Sequence, residues 1–284
     1  MAGLKKAYLE ITNLCNLQCS FCPGTRRPGG FLSADNFRIL GEKLRPHVRY
    51  LYLHLMGEPL LHPQLSELLD IAAQLDFRII ITTNGTLLPR QIELLCAAPA
   101  VHKVSVSLHS FEGNEGHGED LSGYVDNCIS CAAKLAQAGK LCALRLWNLD
   151  GANTVGANSE NGAILLKLEQ AFPKPWKDNP RGAALASGVY LEWGEKFDWP
   201  DLSAEEGSGG VFCYGLRDQV GVLWDGTVVP CCLDHEGDIP LGNLYEQNLE
   251  DILNSPRARA LYDGFSCRKA VEELCRKCGY ARRF

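Results

Sequence analysis

The sequence predicts an α/β protein: a partial parallel barrel of six β/α units, followed by a small cysteine-rich unit. Three observations predict it. Short apolar runs alternate with stretches of helical periodicity between residues 7 and 193. The composition then turns acidic and Gly/Ser-rich at W-P-D-L-S-A-E-E-G-S-G-G. Beyond that stretch lie six of the thirteen cysteines.

The strand candidates are Ala7–Thr12, Arg49–Leu55, Phe77–Thr82, Lys103–Leu108, Leu141–Asn148 and Val189–Trp193, apolar runs of the kind found in buried parallel strands. Helices lie between them. Ser33 caps a helix running to about Leu44, with Pro46 beyond its end. Leu65, Leu68, Leu69, Ala72 and Leu75 form one face of a helix over Pro63–Leu75. Tyr124–Ala138 is a further helix closed by Gly139, and Ile164–Phe172 is one stopped by Pro173. Closing a full barrel takes eight units. Six leave an open side, through which a larger substrate can enter. In such barrels the functional groups gather at the C-terminal ends of the strands.

Residues 1–198 are therefore read as the barrel, 199–211 as a linker, and 212–284 as a second unit too small for a large core and stapled by metal. In that unit Val220–Trp224 and Thr227–Pro230 flank Asp225-Gly226, a strong hairpin signal.

The net charge of −6 argues against a nucleic-acid binder, apart from the cationic tail of Arg276, Lys277, Arg282 and Arg283. No apolar stretch reaches about eighteen residues, so no membrane span is expected. Without a secretory signal, an odd number of cysteines points to the cytoplasm rather than to a disulfide framework.

Cys15, Cys19 and Cys22 stand as C-x3-C-x2-C directly after the first strand. Three thiolates on one loop can hold three irons of a [4Fe–4S] cluster and leave the fourth open. Zinc or three packed thiols are the bland alternatives. The spacing resembles that of the radical S-adenosylmethionine (radical SAM) enzymes, whose open iron takes the amino and carboxylate groups of SAM. Met56-Gly57-Glu58-Pro59 after the second strand resembles the family's G-G-E-P, with Met56 replacing the first glycine. Thr82-Thr83-Asn84-Gly85 after the third strand resembles it also.

The resemblance implies that Phe21 lies beside the adenine and that Glu58 accepts from SAM's ammonium. Gly57, Pro59 and Asn84 shape the same site, and Ser107 and Arg145 hold the carboxylate and ribose. His109 and Asn148 are weaker candidates.

The C-x12-G-x4-C pattern from Cys213 through Gly226 to Cys231, closed by Cys275-x2-Cys278, resembles the SPASM/Twitch domains behind many radical SAM cores. These four cysteines suffice for one auxiliary [4Fe–4S] cluster, and the shorter Twitch form matches best. The full expected fold is a partial (β/α)6 TIM-like barrel with a Twitch-type Fe–S domain of β-hairpin plus helices. Cys232 and Cys267 are spare; Cys267 is an alternative ligand. Cys96, Cys128, Cys131 and Cys142 read as packed thiols.

The implied mechanism starts with a flavodoxin or ferredoxin reducing the N-terminal cluster. SAM is cleaved to methionine and a 5′-deoxyadenosyl radical, which takes a hydrogen atom from substrate. The auxiliary cluster, with no open iron, suits electron acceptance. Glu192, Glu195, Asp234, His235 and Glu236 are candidate acid/base groups. The expected substrate is a peptide or protein side chain, with a small alcohol or sugar-like metabolite as the alternative. A non-catalytic Fe–S or zinc binding module is the reading from another class. The loop Phe111–Gly123 and the polar stretch Gly151–Gly162 are candidates for lining the pocket.

Overall fold

The structure is a computed structural model that describes residues 3–114, 120–150, 158–207 and 210–283. The stretches at 115–119 and 151–157, parts of two expected pocket-lining loops, lie outside the described residues.

All six expected strands form: β1 (Lys6–Leu9), β2 (Tyr50–Tyr52), β3 (Arg78–Thr83), β4 (Val101–Ser107), β5 (Leu141–Leu149) and β8 (Val189–Glu195). They pair in parallel in that order. Between them run α1 (Ala34–Leu44), α2 (Leu65–Gln74), α3 (Leu88–Ala97), α4 (Leu121–Gln137) and α5 (Asn161–Ala171). Ser33 caps α1 by accepting from the Asn36 N–H, and Gly139 follows α4 with φ +75°. Helix α3 was not among the expected elements. Its apolar positions Leu88, Ile92 and Leu95 do carry helical spacing and are buried.

The sheet extends further than six strands. The hairpin β6 (Lys177–Asn179) and β7 (Gly182–Ala186) adds antiparallel to β8 at one edge. At the other edge β9 (Gln219–Val222) pairs parallel with β1, from Lys6↔Gln219 to Leu9↔Val222. Antiparallel β10 (Thr227–Val229) and β11 (Gly242–Asn243) follow it. Among the described residues one open sheet of eleven strands results. The hairpin around Asp225-Gly226 thus forms as expected, but it continues the barrel's sheet.

The C-terminal helices are α6 (Leu249–Leu253), α7 (Pro256–Ser266) and α8 (Glu273–Arg276). Val220, Val222, Ile252, Leu261 and Phe265 belong to the same buried core as Leu51 and Ile79. Residues 199–211 therefore separate two chain segments, while core and sheet are shared.

The two faces of the parallel strands differ. Ala7, Leu9, Leu51, Ile79, Ile81, Val104, Val106, Leu144, Leu146 and Leu191 are buried in the shared core. The alternate positions include Tyr8, Tyr52, Thr82, Ser105, Ser107, Arg145 and Glu192. Period-two alternation sends these to the opposite, inner face. That face, opposite the helix-covered core, is polar and is the inner face of the expected barrel.

Candidate active site

The C-x3-C-x2-C loop leaves the C-terminal end of β1. Cys15 and Cys22 are exposed, Cys19 is partly buried, and all three are free thiols. The loop returns through an isolated antiparallel bridge, Thr12↔Phe31. Asn13 braces it, donating from Nδ2 to the Pro28 carbonyl at 2.9 Å and accepting from the Gly30 N–H at 3.0 Å.

The loops after β2, β3 and β4 meet this loop one by one. After β2, the Glu58 N–H donates to the Leu14 carbonyl at 2.8 Å. Gly57 has φ +78°, and a Cβ there would stand 2.5 Å from the Thr12 carbonyl oxygen. The turn therefore requires glycine for its conformation and for the close approach. After β3, Asn84 Nδ2 donates to Asn16 Oδ1 at 3.0 Å and lies 3.9 Å from Cys15 Sγ. After β4, Asn114 Nδ2 reaches Cys19 Sγ at 2.9 Å, and its Oδ1 accepts the Gln18 N–H at 2.8 Å. The Phe21 ring packs on His109, centroids 5.0 Å apart, and against Gly113.

These contacts also test the fit of an iron–sulfur cluster. Burial pushes the three thiols up, Cys19 to about 11. N–H donors nevertheless point at their sulfurs: Leu17 and Asn84 at Cys15, and Asn114 at Cys19. Such donors favour the thiolate form. Uncompensated thiolates would be costly there, whereas bound iron offsets their charge. The residues fit the group.

Cys213, Cys231, Cys275 and Cys278 come together at the other end of the chain. Burial, followed by the charges of the other three and of Cys232, raises the Cys231 thiol. Gly215 lies between two of these cysteines: a Cβ there would be in ordinary contact with Cys213 Sγ at 3.6 Å and Cys231 Cβ at 3.8 Å. Its N–H donates to Cys213 Sγ at 3.3 Å. This set also fits a cluster. Among the described residues, no three His, Cys, Asp or Glu side chains gather around one ion-sized point. A cluster, by contrast, distributes its thiolates over separate irons.

Cys267 is exposed as the C-cap of α7, and it is not among the charged neighbours that raise the Cys231 and Cys275 thiols. Cys232 hydrogen-bonds the Tyr8 hydroxyl on the inner face. Cys128, Cys131 and Cys142 are buried as expected, and Cys96 is partly so.

Several expected roles change. Glu58 was expected to face a ligand ammonium. Its carboxyl is instead turned inward, 1% exposed, accepting from the Leu60 N–H at 3.0 Å and the Asn84 N–H at 2.8 Å. Burial raises it to about 7. It fixes the turn before Pro59 against the Asn84 loop.

Arg145 lies beside Ser107 in register on the inner face. Its Nε donates to Glu192 Oε2 at 3.1 Å, and its guanidinium covers the Trp147 ring at 4.6 Å. Lys103 Nζ takes the other Glu192 oxygen at 2.5 Å. Burial opposes the charge on Glu192, but Arg145 and Lys103 outweigh it and hold the carboxyl below its ordinary range. A carboxylate so paired is a poor proton acceptor near neutrality, a correction to its candidacy.

Asp234 is 1% exposed and accepts from the Asp238 and Ile239 N–H groups at 2.8 and 3.0 Å. Burial raises it to about 6, but its oxygens are spent closing a turn. His235 Nδ1 lies 3.1 Å from the Leu233 carbonyl oxygen, and its ring meets Trp199 edge-on. Both side chains are engaged by backbone groups of their own turn. His109 is buried beside the Arg145 carbonyl; burial presses its imidazole down to about 4, against that carbonyl, which favours the protonated ring. Asn148 pairs with Asn161 in both directions at 3.0 Å.

Sequence reasoning missed Asn114, Glu10 and Arg27, and also Tyr8, Tyr52 and His54. The last three have rings within 6.1 Å of one another. Their signal was the alternation of polar and apolar residues in K-A-Y-L-E and Y-L-Y-L-H. Burial and Arg145 press the His54 imidazole down to about 3, and its Nδ1 is buried without a partner.

Comparison with known proteins agrees with this geometry. A family profile described as the Radical SAM superfamily matches residues 9–153, and SPASM, an iron–sulfur cluster-binding domain, matches residues 213–279. The sporulation killing factor maturation protein SkfB of Bacillus subtilis is 24% identical, over 86% of this chain and 63% of its own length. The chain spans 25%, 63% and 29% of the first three curated relatives it matches. Two solved structures share the fold. BtrN in complex with AdoMet and 2-DOIA has a TM-score of 0.61 at 18% identity, over 98% of this chain and 94% of that one. Streptococcus suis SuiB bound to S-adenosylmethionine has a TM-score of 0.64 at 16% identity, over 98% and 72%. Among the described residues, no helix is long and apolar enough to cross a membrane. The chain belongs to the radical SAM superfamily, whose cofactors are a [4Fe–4S] cluster and SAM, and it carries an iron–sulfur SPASM domain behind the core.

Proposed function

We propose that the protein is a radical SAM enzyme that oxidatively modifies a peptide or protein side chain. One observation carries this reading. The loop that carries the free-thiol triplet is hydrogen-bonded by Glu58, Asn84 and Asn114, from the loops after three neighbouring strands, and two of these, Asn84 and Asn114, reach cysteine sulfurs. Cys15, Cys19 and Cys22 would hold the SAM-binding cluster, and Cys213, Cys231, Cys275 and Cys278 the auxiliary one. When bound, the first cluster supplies one-electron cleavage of SAM and hence a radical able to take a hydrogen atom from substrate.

The chain's own residues would do the rest. Phe21, Gly57, Pro59 and Asn84 shape the pocket beside the triplet, and Ser107 and Arg145 close it from β4 and β5. Glu58 keeps the turn in register. The polar inner face, with Tyr8, Tyr52 and His54, receives the substrate between the two cysteine sets. A flavodoxin or ferredoxin would deliver the electron. The peptide assignment draws on SkfB, named as a maturation protein, and on SuiB, solved with the precursor peptide SuiA.

A second reading, a dehydrogenase of a small alcohol or sugar-like metabolite, draws on BtrN, whose fold this chain shares and which was solved in complex with AdoMet and the small molecule 2-DOIA.

The test is anaerobic reconstitution, followed by dithionite, SAM and assay of 5′-deoxyadenosine. The expected result is about eight irons per chain, with deoxyadenosine formation lost in Cys15→Ala/Cys19→Ala/Cys22→Ala. A reducible N-terminal cluster that leaves SAM intact would overturn the reading. Peptide and polyol pools screened by mass spectrometry then separate the two substrate classes.

A further inference from the structure

The two cysteine loops are tied to each other a few residues beyond each set. After Cys22, the Arg26 N–H donates to Glu236 Oε1 at 3.0 Å, and the Arg26 guanidinium lies 3.7 Å from the same carboxylate. The Thr25 side chain bonds Glu236 as well. Arg27 Nε donates to the His235 carbonyl at 2.7 Å. His235 and Glu236 directly follow the Cys231-Cys232-Leu233-Asp234 run.

A buried carboxylate backs this junction. Glu10, at the end of β1, is 0% exposed and accepts from Arg27 Nη2 at 2.6 Å. Its two oxygens also take the Met56 and Trp224 N–H groups, each at 3.3 Å. One side chain therefore touches the loop after Cys22, the turn before Gly57 and the hairpin leading to Cys231. On the C-terminal side Asp234 closes the turn that presents His235 and Glu236.

We propose that this clasp couples the two cysteine sites: an intact C-terminal site orders the loop carrying Cys15, Cys19 and Cys22 and so tightens SAM binding there. The inference rests on the function proposed above. Arg27 and Glu236 act as positioning residues, through the loop. The physical reason is preorganisation. The triplet loop runs from Asn13 to Gly30, and the contacts with His235 and Glu236 hold its return segment, Thr25 to Arg27, directly after Cys22. A loop already ordered loses less conformational entropy when a ligand binds, so affinity rises. Coupling of this kind is reciprocal, so SAM should also favour the closed clasp.

Four reconstituted proteins test it: wild type, Cys275→Ala/Cys278→Ala, Glu236→Ala, and the combination. The readouts are the SAM dissociation constant from equilibrium dialysis and the SAM-induced change in the electron paramagnetic resonance spectrum of the reduced N-terminal cluster. Loss of the C-terminal cysteines should weaken SAM binding about fivefold or more. Glu236→Ala should do the same at full iron content, and the combination should be little worse than either alone. Arg27→Lys keeps the charge but loses the guanidinium fork, and should reproduce the Glu236→Ala spectrum. Wild-type affinity in the cysteine variant or in Glu236→Ala, or losses that add in full, would overturn the clasp and leave the proposed function standing. A wild-type protein that assembles its N-terminal cluster yet binds no SAM would overturn both.

Discussion

Asn114 Nδ2 lies 2.9 Å from Cys19 Sγ, although 95 residues separate the two in sequence. The amide is aimed by two further bonds, to the Ser110 carbonyl at 2.7 Å and from the Gln18 N–H at 2.8 Å. A hydrogen bond to a ligating sulfur stabilises the more negative, reduced state of a cluster. Asn114→Ala should therefore make the N-terminal cluster harder to reduce, with a more negative midpoint in a spectroscopic redox titration. An unchanged midpoint would show that the amide does not act on the cluster.

Gly57 is the tightest point between the β2 loop and the triplet loop. Gly57→Ala meets a positive φ and the Thr12 carbonyl oxygen at 2.5 Å. The expected cost is about 2 kcal/mol or more, with displacement of Asn13 and Leu14 and reduced iron uptake at the triplet. Chemical denaturation and iron analysis check this together. Wild-type values for both would mean that the turn relaxes freely.

Glu58 links stability to pH. Burial raises its carboxyl to about 7 against the N–H groups of Asn84 and Leu60, which lower it. Between an ordinary value near 4.5 and about 7, the folded state holds a proton that the unfolded state has released. Stability from this group is therefore full below about 4.5 and falls as pH rises through 7. Relative to Glu58→Gln, the wild type should lose about 3 kcal/mol across that window. Parallel pH profiles for the two proteins would place the proton elsewhere.

The C-terminal cysteines differ in consequence. Cys275→Ser should remove the auxiliary cluster, about four irons, because its thiol is buried among Cys213 and Cys278. Cys267→Ser should leave iron content unchanged, since that thiol, at the end of α7, is not among the neighbours that raise the Cys231 and Cys275 thiols. Iron loss in Cys267→Ser would return it to the ligand set.

Ion pairing for Glu192 and turn contacts for Asp234 and His235 decided how these titratable groups are engaged. Glu192, Asp234 and His235 all looked suitable in sequence, and each is engaged by a partner from elsewhere in the chain or by its own turn. Arg145 between two leucines looked expensive, and it is affordable on the inner face because Glu192 sits beside it in register. Helix α3 and the β6–β7 hairpin escaped the sequence reading. The first is a short helix ended by Ala98 rather than glycine, and the second is a pair of short edge strands.

What the sequence determined by itself was local. Thiol spacing on one loop, the positions of the parallel strands, the Ser33 cap, the glycine after α4 and the Asp225-Gly226 turn all depend on residues a few positions apart, where covalent geometry allows few alternatives. What only the tertiary structure decided was long-range. It seated β9 beside β1, brought Asn114 to Cys19, and locked Glu10 onto Arg27 beneath both cysteine loops. Those contacts form only after the whole sheet closes the intervening chain into loops, and no local pattern encodes which distant partner a buried polar group will find.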